Sequence, residues 1–304
     1  MKDYCAAIDF GTNTARLLIA MRSSAGIVPV RVEREVVRLG GGFTDRYGLS
    51  VEAIERGLTC LCRFSKIISE YDVGQVRASA TSAVRDAVNG KAFVDKVLQE
   101  TGIKLDVIDG DLEARLTLMG VISGLDSENN LFVVIDVGGG STEFTVSCHG
   151  SPVFIKSMPI GVVRLTEGFR TDIEMVERVR SVIDQLEKDL SSAGIIVSED
   201  FELVGTAGTA TTIAAIKLEM VDYDYRKVNN FTVSGEDIYE IFQRLSRLTP
   251  LERLSIKGVE KGREDLIIAG LVIITSIMER FGFKRLKVSD FGLLEGLALS
   301  DSES

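Results

Sequence analysis

Apolar and polar positions along this chain follow one plan twice. Residues 4–10 and 15–22 read as two short apolar strands joined by a glycine turn, in "AIDFGTNTARLLIA", and a β-branched strand follows over 28–38. The construction returns 127 positions later, counted from Asp9 to Asp136, as "VIDVGGGSTEFTVS", with strands over 131–136, 142–148 and 152–158. After the first copy, "GGGF" (40–43) breaks the strand pattern, and Ser50 caps a helix to about residue 71 with Glu52 in its first turn. A strand in "QVRASATSA", a helix over 90–100, a strand over 105–108 and a helix in "GDLEARLTLMGVIS" come next. After the second copy the pattern predicts helices over 161–169 and 173–192, a strand over 201–204, and a helix opening on "GTAGTAT". Helices over 235–247 and 263–281, a strand over 285–288 and a helix over 293–299 close the chain.

This alternation predicts an α/β fold with mixed sheets, duplicated, with a cleft between the halves. "SGLDSENN" (123–130) breaks both patterns, so the expected domains are 1–125 and 126–304.

Composition narrows the function classes. The 304 residues are 45% hydrophobic and 26% charged, an ordinary globular balance. The net charge of −10 argues against a non-specific nucleic-acid binder. A polyanionic ligand would need local arginines, backbone N–H groups and metal ions. The apolar run "LIIAGLVIITSIM" has 13 residues, too few to span a bilayer, and reads as a core helix. "MKDY" leads directly into a strand without an apolar signal core, so a cytoplasmic protein with no membrane association is expected. The four cysteines (Cys5, Cys60, Cys62, Cys148) and the single histidine, His149, cannot build a zinc set, and they leave little room for a histidine base.

Three turns carry candidate chemistry: "DFGTNT" (9–14), "DVGGGST" (136–142) and "GTAGTAT" (205–211). Glycine lets a backbone approach a ligand closely, so that successive N–H groups converge on an anion. Hydroxyls of Thr12, Thr14, Ser141 and Thr142 add donors, and the third turn opens a helix, whose N-terminus favours phosphate. Asp136 and Glu143 flank the second loop and form a candidate divalent-cation site, Mg²⁺ by preference. Asp9 stands between a metal or water contact and a turn cap.

"AIDFGTNTARLLIA", "ASATSAVRDAVN", "GDLEARL", "VIDVGGGSTEF", "GTAGTATTIAAI", "GREDLIIAG" and "VSDFGLLEGLAL" occur in this order across nearly the whole chain. Together they resemble the exopolyphosphatase/guanosine pentaphosphate phosphohydrolase family. The resemblance implies an actin-like ATPase fold of two RNase H-like domains with the active site in the cleft. It implies Mg²⁺-dependent hydrolysis of a terminal phosphoanhydride, of linear polyphosphate or of pppGpp. It places the catalytic glutamate on Glu113 and the arginine of "ATSAxR" on Arg85. The metal- and phosphate-binding acids fall on Asp136 and Glu143, with Asp9 as a further metal candidate. The phosphate-binding set is Gly138, Gly139, Gly140, Ser141 and Thr142, joined by Gly11, Thr12, Asn13 and Thr14 of the first turn and Gly208 and Thr209 of the third. Without the family motif, Glu113 would read as a helix carboxylate paired with Arg115 or an i+4 neighbour, and Arg85 as a surface arginine paired with Asp86.

The chain departs from the family pattern at Leu112, where many members carry glutamate, and at Leu294, where arginine is usual. Long members continue into a helical HD-like domain beyond the equivalent of Ser304, so the short form is the expectation here. Inhibition by (p)ppGpp, a weakly active sensor of the same ligands, and a homodimer are further expectations of the resemblance.

Overall fold

The computed structural model describes residues 4–23, 26–44, 46–169 and 171–300. The chain divides into two units, residues 1–123 with 292–304, and residues 124–291.

In the first unit, β1 (Tyr4–Phe10), β2 (Thr14–Ser23) and β3 (Gly26–Val36) form an antiparallel meander. α1 (Val51–Ser69) leads to β4 (Val73–Ala80), which pairs parallel to β1. α2 (Ser82–Arg85), α3 (Gly90–Thr101), β5 (Leu105–Val107) and α4 (Gly110–Gly124) follow, and the sheet order is β3-β2-β1-β4-β5. Ser50 accepts a hydrogen bond from Ala53 N at 3.2 Å, the cap its position predicts. β1 is central, and Cys5, Ala6, Ala7 and Ile8 are all buried. Ile8, Phe10, Leu17 and Ile19 face α1 and α3 through Leu61, Phe64 and Phe93. The Phe10 and Phe93 rings stack with centroids 5.7 Å apart. Cys60 belongs to this core, and burial pushes its thiol pKa up to about 12, so it is a packing group rather than a nucleophile.

In the second unit, β6 (Leu131–Val137), β7 (Thr142–Cys148) and β8 (Ser151–Met158) repeat the meander. α5 (Val162–Gly168) and α6 (Asp172–Ser192) precede β9 (Glu202–Thr206), which pairs parallel to β6 as β4 does to β1. α7 (Ala207–Lys217), α8 (Tyr225–Val228), β10 (Thr232–Ser234), α9 (Gly235–Ser246), α10 (Pro250–Arg253), α11 (Ile267–Phe281) and β11 (Arg285–Val288) complete a sheet of order β10-β11-β9-β6-β7-β8. α11 contains the apolar run from its second residue on, with Leu266 as N-cap and ten residues from Ile267 to Met278 buried. Among the described residues no helix is long and apolar enough to cross a membrane. β10 is not among the strands the sequence pattern predicts.

The largest difference from the sequence reading lies at the end of the chain. A second domain running over 126–304 is expected, yet α12 (Leu293–Leu299) belongs to the first unit. Its Leu293, Leu294 and Leu297 pack with Leu116 of α4 on the sheet face made by Cys5, Ala7, Leu18 and Ala20. Small side chains at 5, 7 and 20 let the helix approach. Glycine does the same on its other side: a Cβ on Gly120 would stand 2.8 Å from Gly292 C and Gly296 N. Leu294 is 1% exposed, so the position where the family pattern has arginine is here a core position.

Candidate active site

The duplicated turns superpose in their hydrogen bonding. Gly11 N donates to Thr14 O at 3.0 Å, and Gly138 N donates to Ser141 O at 3.0 Å. In each copy the residue before the turn's first apolar position faces a fixed partner across the hairpin. Asp9 stands opposite Arg16, and Asp136 opposite Glu143. Residues directly opposite one another share a face of the sheet, with Cβ atoms about 4.5–5.5 Å apart.

That single difference separates the copies chemically. Arg16 donates to Asp9 Oδ2 from Nε at 3.1 Å and from Nη2 at 2.9 Å, so the first copy's acid is neutralised by its own hairpin. The second copy puts two carboxylates on one face, where like charges directly opposite one another destabilise a hairpin unless a cation relieves them. Glu143 is 2% exposed and accepts from Ser157 Oγ at 2.8 Å through Oε1. Mg²⁺ is bound through one or two carboxylates together with phosphate oxygens and waters, and the Asp136–Glu143 pair fits that donor set. Among the described residues no group of three or more His, Cys, Asp or Glu side chains gathers to hold a metal without a ligand's help.

The other turn residues divide by side chain and backbone. Thr12 Oγ1 lies 2.9 Å from Ser82 Oγ, a buried bond that ties the first turn to α2. Thr12 O and Asn13 O accept backbone N–H groups of Gly40, and of Val37 and Arg38. Thr142 is fully buried and donates to Ile160 O at 2.5 Å, so its hydroxyl serves the fold. Gly138, Gly139 and Gly140 offer backbone only, and Ser141 is 7% exposed.

In the third turn, Ala207 sits at φ 61°, a left-handed conformation that non-glycine residues rarely adopt. Gly208 follows because the guanidinium of Arg263 lies over it; Arg263 Nη2 is 2.6 Å from where a Gly208 Cβ would be. Thr209 is turned into α11, with its Cβ 2.9 Å from the Cβ position of Gly270. Its hydroxyl is therefore a packing group, and only its backbone remains for an anion.

Glu113 occupies the first turn of α4, where the helix dipole favours a carboxylate, and is 7% exposed. Its partner is Arg85, whose Nη1 is 3.3 Å from Glu113 Oε2 and 2.9 Å from Ile108 O. Asp86 is farther, 3.8 Å from Arg85 Nε. α2 and α4 thus bring together two residues 28 positions apart, Arg85 and Glu113. Asp109 holds the turn beneath them through Leu112 N at 2.8 Å and Glu113 N at 3.0 Å.

Two charged groups beside the glycine turns escaped the sequence reading. Arg16 had a signal, because a turn of this length sets residue 16 opposite residue 9. Arg263 stands in "GREDLIIAG", a charged residue heading the longest apolar helix, but nothing local says that it covers Gly208.

The model of the Ppx/GppA phosphatase family matches residues 18–304. Exopolyphosphatase 2 of Mycobacterium tuberculosis is 36% identical over 314 residues, covering 97% of this chain and 97% of that protein. The guanosine-5'-triphosphate,3'-diphosphate pyrophosphatase of Pseudoalteromonas atlantica is 28% identical over 96% of this chain, which spans 57% of its length. A bifunctional 3-dehydroquinate synthase/phosphatase of Fusobacterium nucleatum is 34% identical over 98% of this chain, which spans 46% of its length. Among solved structures, the Aquifex aeolicus PPX-GPPA enzyme superposes with a TM-score of 0.81 at 32% identity, over 99% of this chain and 100% of that one. An exopolyphosphatase from Cytophaga hutchinsonii superposes with a TM-score of 0.87 at 29% identity, over 97% and 96%.

Proposed function

Because the chain belongs to the Ppx/GppA phosphatase family, we propose that it is an exopolyphosphatase, releasing orthophosphate from the end of inorganic polyphosphate. The observation that carries this reading is the end-to-end match to a protein named exopolyphosphatase 2, in which 97% of each chain aligns. In the reaction, water oxygen forms a bond to the terminal phosphorus, and the bridging P–O bond breaks. The shortened chain keeps the bridging oxygen, and orthophosphate leaves. Glu113 accepts the proton of the attacking water, and Arg85 holds that carboxylate in place through its 3.3 Å contact. Backbone N–H groups of Gly139, Gly140 and Ser141 take phosphate oxygens, and the Arg263 guanidinium, paired with Glu260 at 3.2 Å, lies over Gly208 at the third turn. Asp136 and Glu143 would hold Mg²⁺, which supplies charge neutralisation at the phosphate oxygens.

Hydrolysis of pppGpp at its 5′ end is the second reading. It is favoured by the match to the Pseudoalteromonas pyrophosphatase, whose named substrate also ends in a phosphoanhydride.

Phosphate release should be measured side by side on polyphosphate of several lengths and on pppGpp. Faster release from polyphosphate is expected, and preference for pppGpp over every polymer would reverse the two readings. Asp136→Asn is expected to raise the Mg²⁺ concentration needed for half-maximal activity. An unchanged Mg²⁺ titration would remove Asp136 from the metal site.

A further inference from the structure

Three consecutive carbonyls of the second turn point the same way. Gly138 O accepts from Val162 N at 2.9 Å, and Gly139 O from Val163 N at 2.9 Å and Arg164 N at 3.2 Å. Gly140 O accepts from the Arg164 side chain, Nε at 2.9 Å. The start of α5 is pressed against the loop at the same place, for a Cβ on Gly161 would stand 2.5 Å from Gly139 C and Gly140 C. A trans peptide sends its C=O and N–H in opposite directions. Fixing these carbonyls toward α5 therefore aims the N–H groups of Gly139, Gly140 and Ser141 to the opposite side, as one convergent set of donors.

The three peptides are not held equally. Two are fixed by backbone N–H groups, which no substitution removes. The Gly140–Ser141 peptide is fixed by a side chain, and glycine at 140 leaves that peptide free to rotate once the bond is lost. The first copy differs at the equivalent position: Asn13 O is held by backbone N–H groups of Val37 at 3.0 Å and Arg38 at 2.9 Å. A side chain in the second copy does what the backbone does in the first.

We propose that Arg164 is a positioning residue for the phosphate loop, fixing the Gly140 carbonyl so that Ser141 N–H is presented to the anion. It acts through the Gly140 carbonyl, by orienting the loop. The proposal rests on the phosphatase reading for its consequence in rate, but not for its consequence in anion binding. Arg164 lies on the surface, so its replacement should leave the fold intact.

The test uses the ¹⁵N-labelled full chain with inorganic phosphate as the probe, and kinetics on polyphosphate beside it. In the wild type, phosphate should shift the amide resonances of Gly139, Gly140 and Ser141. In Arg164→Ala the Ser141 response should disappear while that of Gly139 persists. kcat/KM should fall by about 10²-fold, the scale of losing one oriented donor. Arg164→Lys, which keeps a cationic donor, should restore part of both; a merely structural side chain gives no such amide-specific pattern. A Ser141 response unchanged in Arg164→Ala overturns the proposal, as does a wild-type loop that ignores phosphate, or an active wild type whose hydrolysis the variant equals. If the amide pattern appears as described while the wild type hydrolyses no phosphoanhydride, the positioning role stands and the phosphatase reading falls.

Discussion

Glu113→Gln is expected to slow phosphate release from polyphosphate by about 10²–10⁴-fold, the usual contribution of a positioned general base. The substitution keeps the volume and leaves an oxygen able to accept from Arg85, but the amide cannot take a proton from water. Arg85 should not move, because its Nη1 is also held by Ile108 O at 2.9 Å. Removing one negative charge from the first turn of α4 should cost about 0.3–1 kcal/mol of stability, too little to unfold the protein. Initial rates and thermal unfolding measured on the same preparation separate the two effects. Equal rates for variant and wild type would remove Glu113 as the base. A large fall in melting temperature accompanying the lost rate would instead make it a structural carboxylate.

Gly120→Ala is expected to destabilise the first unit by about 1–3 kcal/mol, the range for forcing atoms into a filled space. Helix propensity alone predicts the opposite sign, since alanine is favoured over glycine in a helix interior by about 1 kcal/mol. The reversal comes from α12. The new methyl would stand 2.8 Å from Gly292 C and Gly296 N, and both are backbone atoms that cannot swing aside as a side chain can. Gly168→Ala is the control, because a Cβ there meets nothing within 4 Å. Denaturant midpoints should fall for the first variant and stay near wild type for the second. Hydrogen exchange should speed up over Leu293–Leu299, where the displaced helix loses its seat. Identical midpoints for both variants would show that α4 and α12 do not meet at Gly120.

Much of the site was legible because its elements are local. A strand, an acid, a turn of small residues and a returning strand occupy about fifteen consecutive positions, and their hydrogen bonds join residues within that span. Both turns close as read, Gly11 to Thr14 and Gly138 to Ser141. The cap at Ser50 and the buried helix of the apolar run likewise depend on near neighbours. The pairing of Asp9 with Arg16 belonged to the same class, since hairpin register alone sets it. The hydroxyl of Thr142 did not follow the sequence reading, because a hydroxyl in a glycine-rich turn looks alike whether it faces a ligand or the core.

The amino-acid sequence by itself determined the duplicated α/β plan, the acids at the strand ends and the glycine loops, because period, turn chemistry and capping act over a few residues. Tertiary structure alone decided that Arg85 meets Glu113 across 28 positions, that Arg263 covers Gly208, that Arg164 holds Gly140, and that α12 returns to the first unit. Each of these joins elements that are distant in sequence. Its energy comes from a surface that exists only once the sheets and helices have packed, so no local pattern carries it.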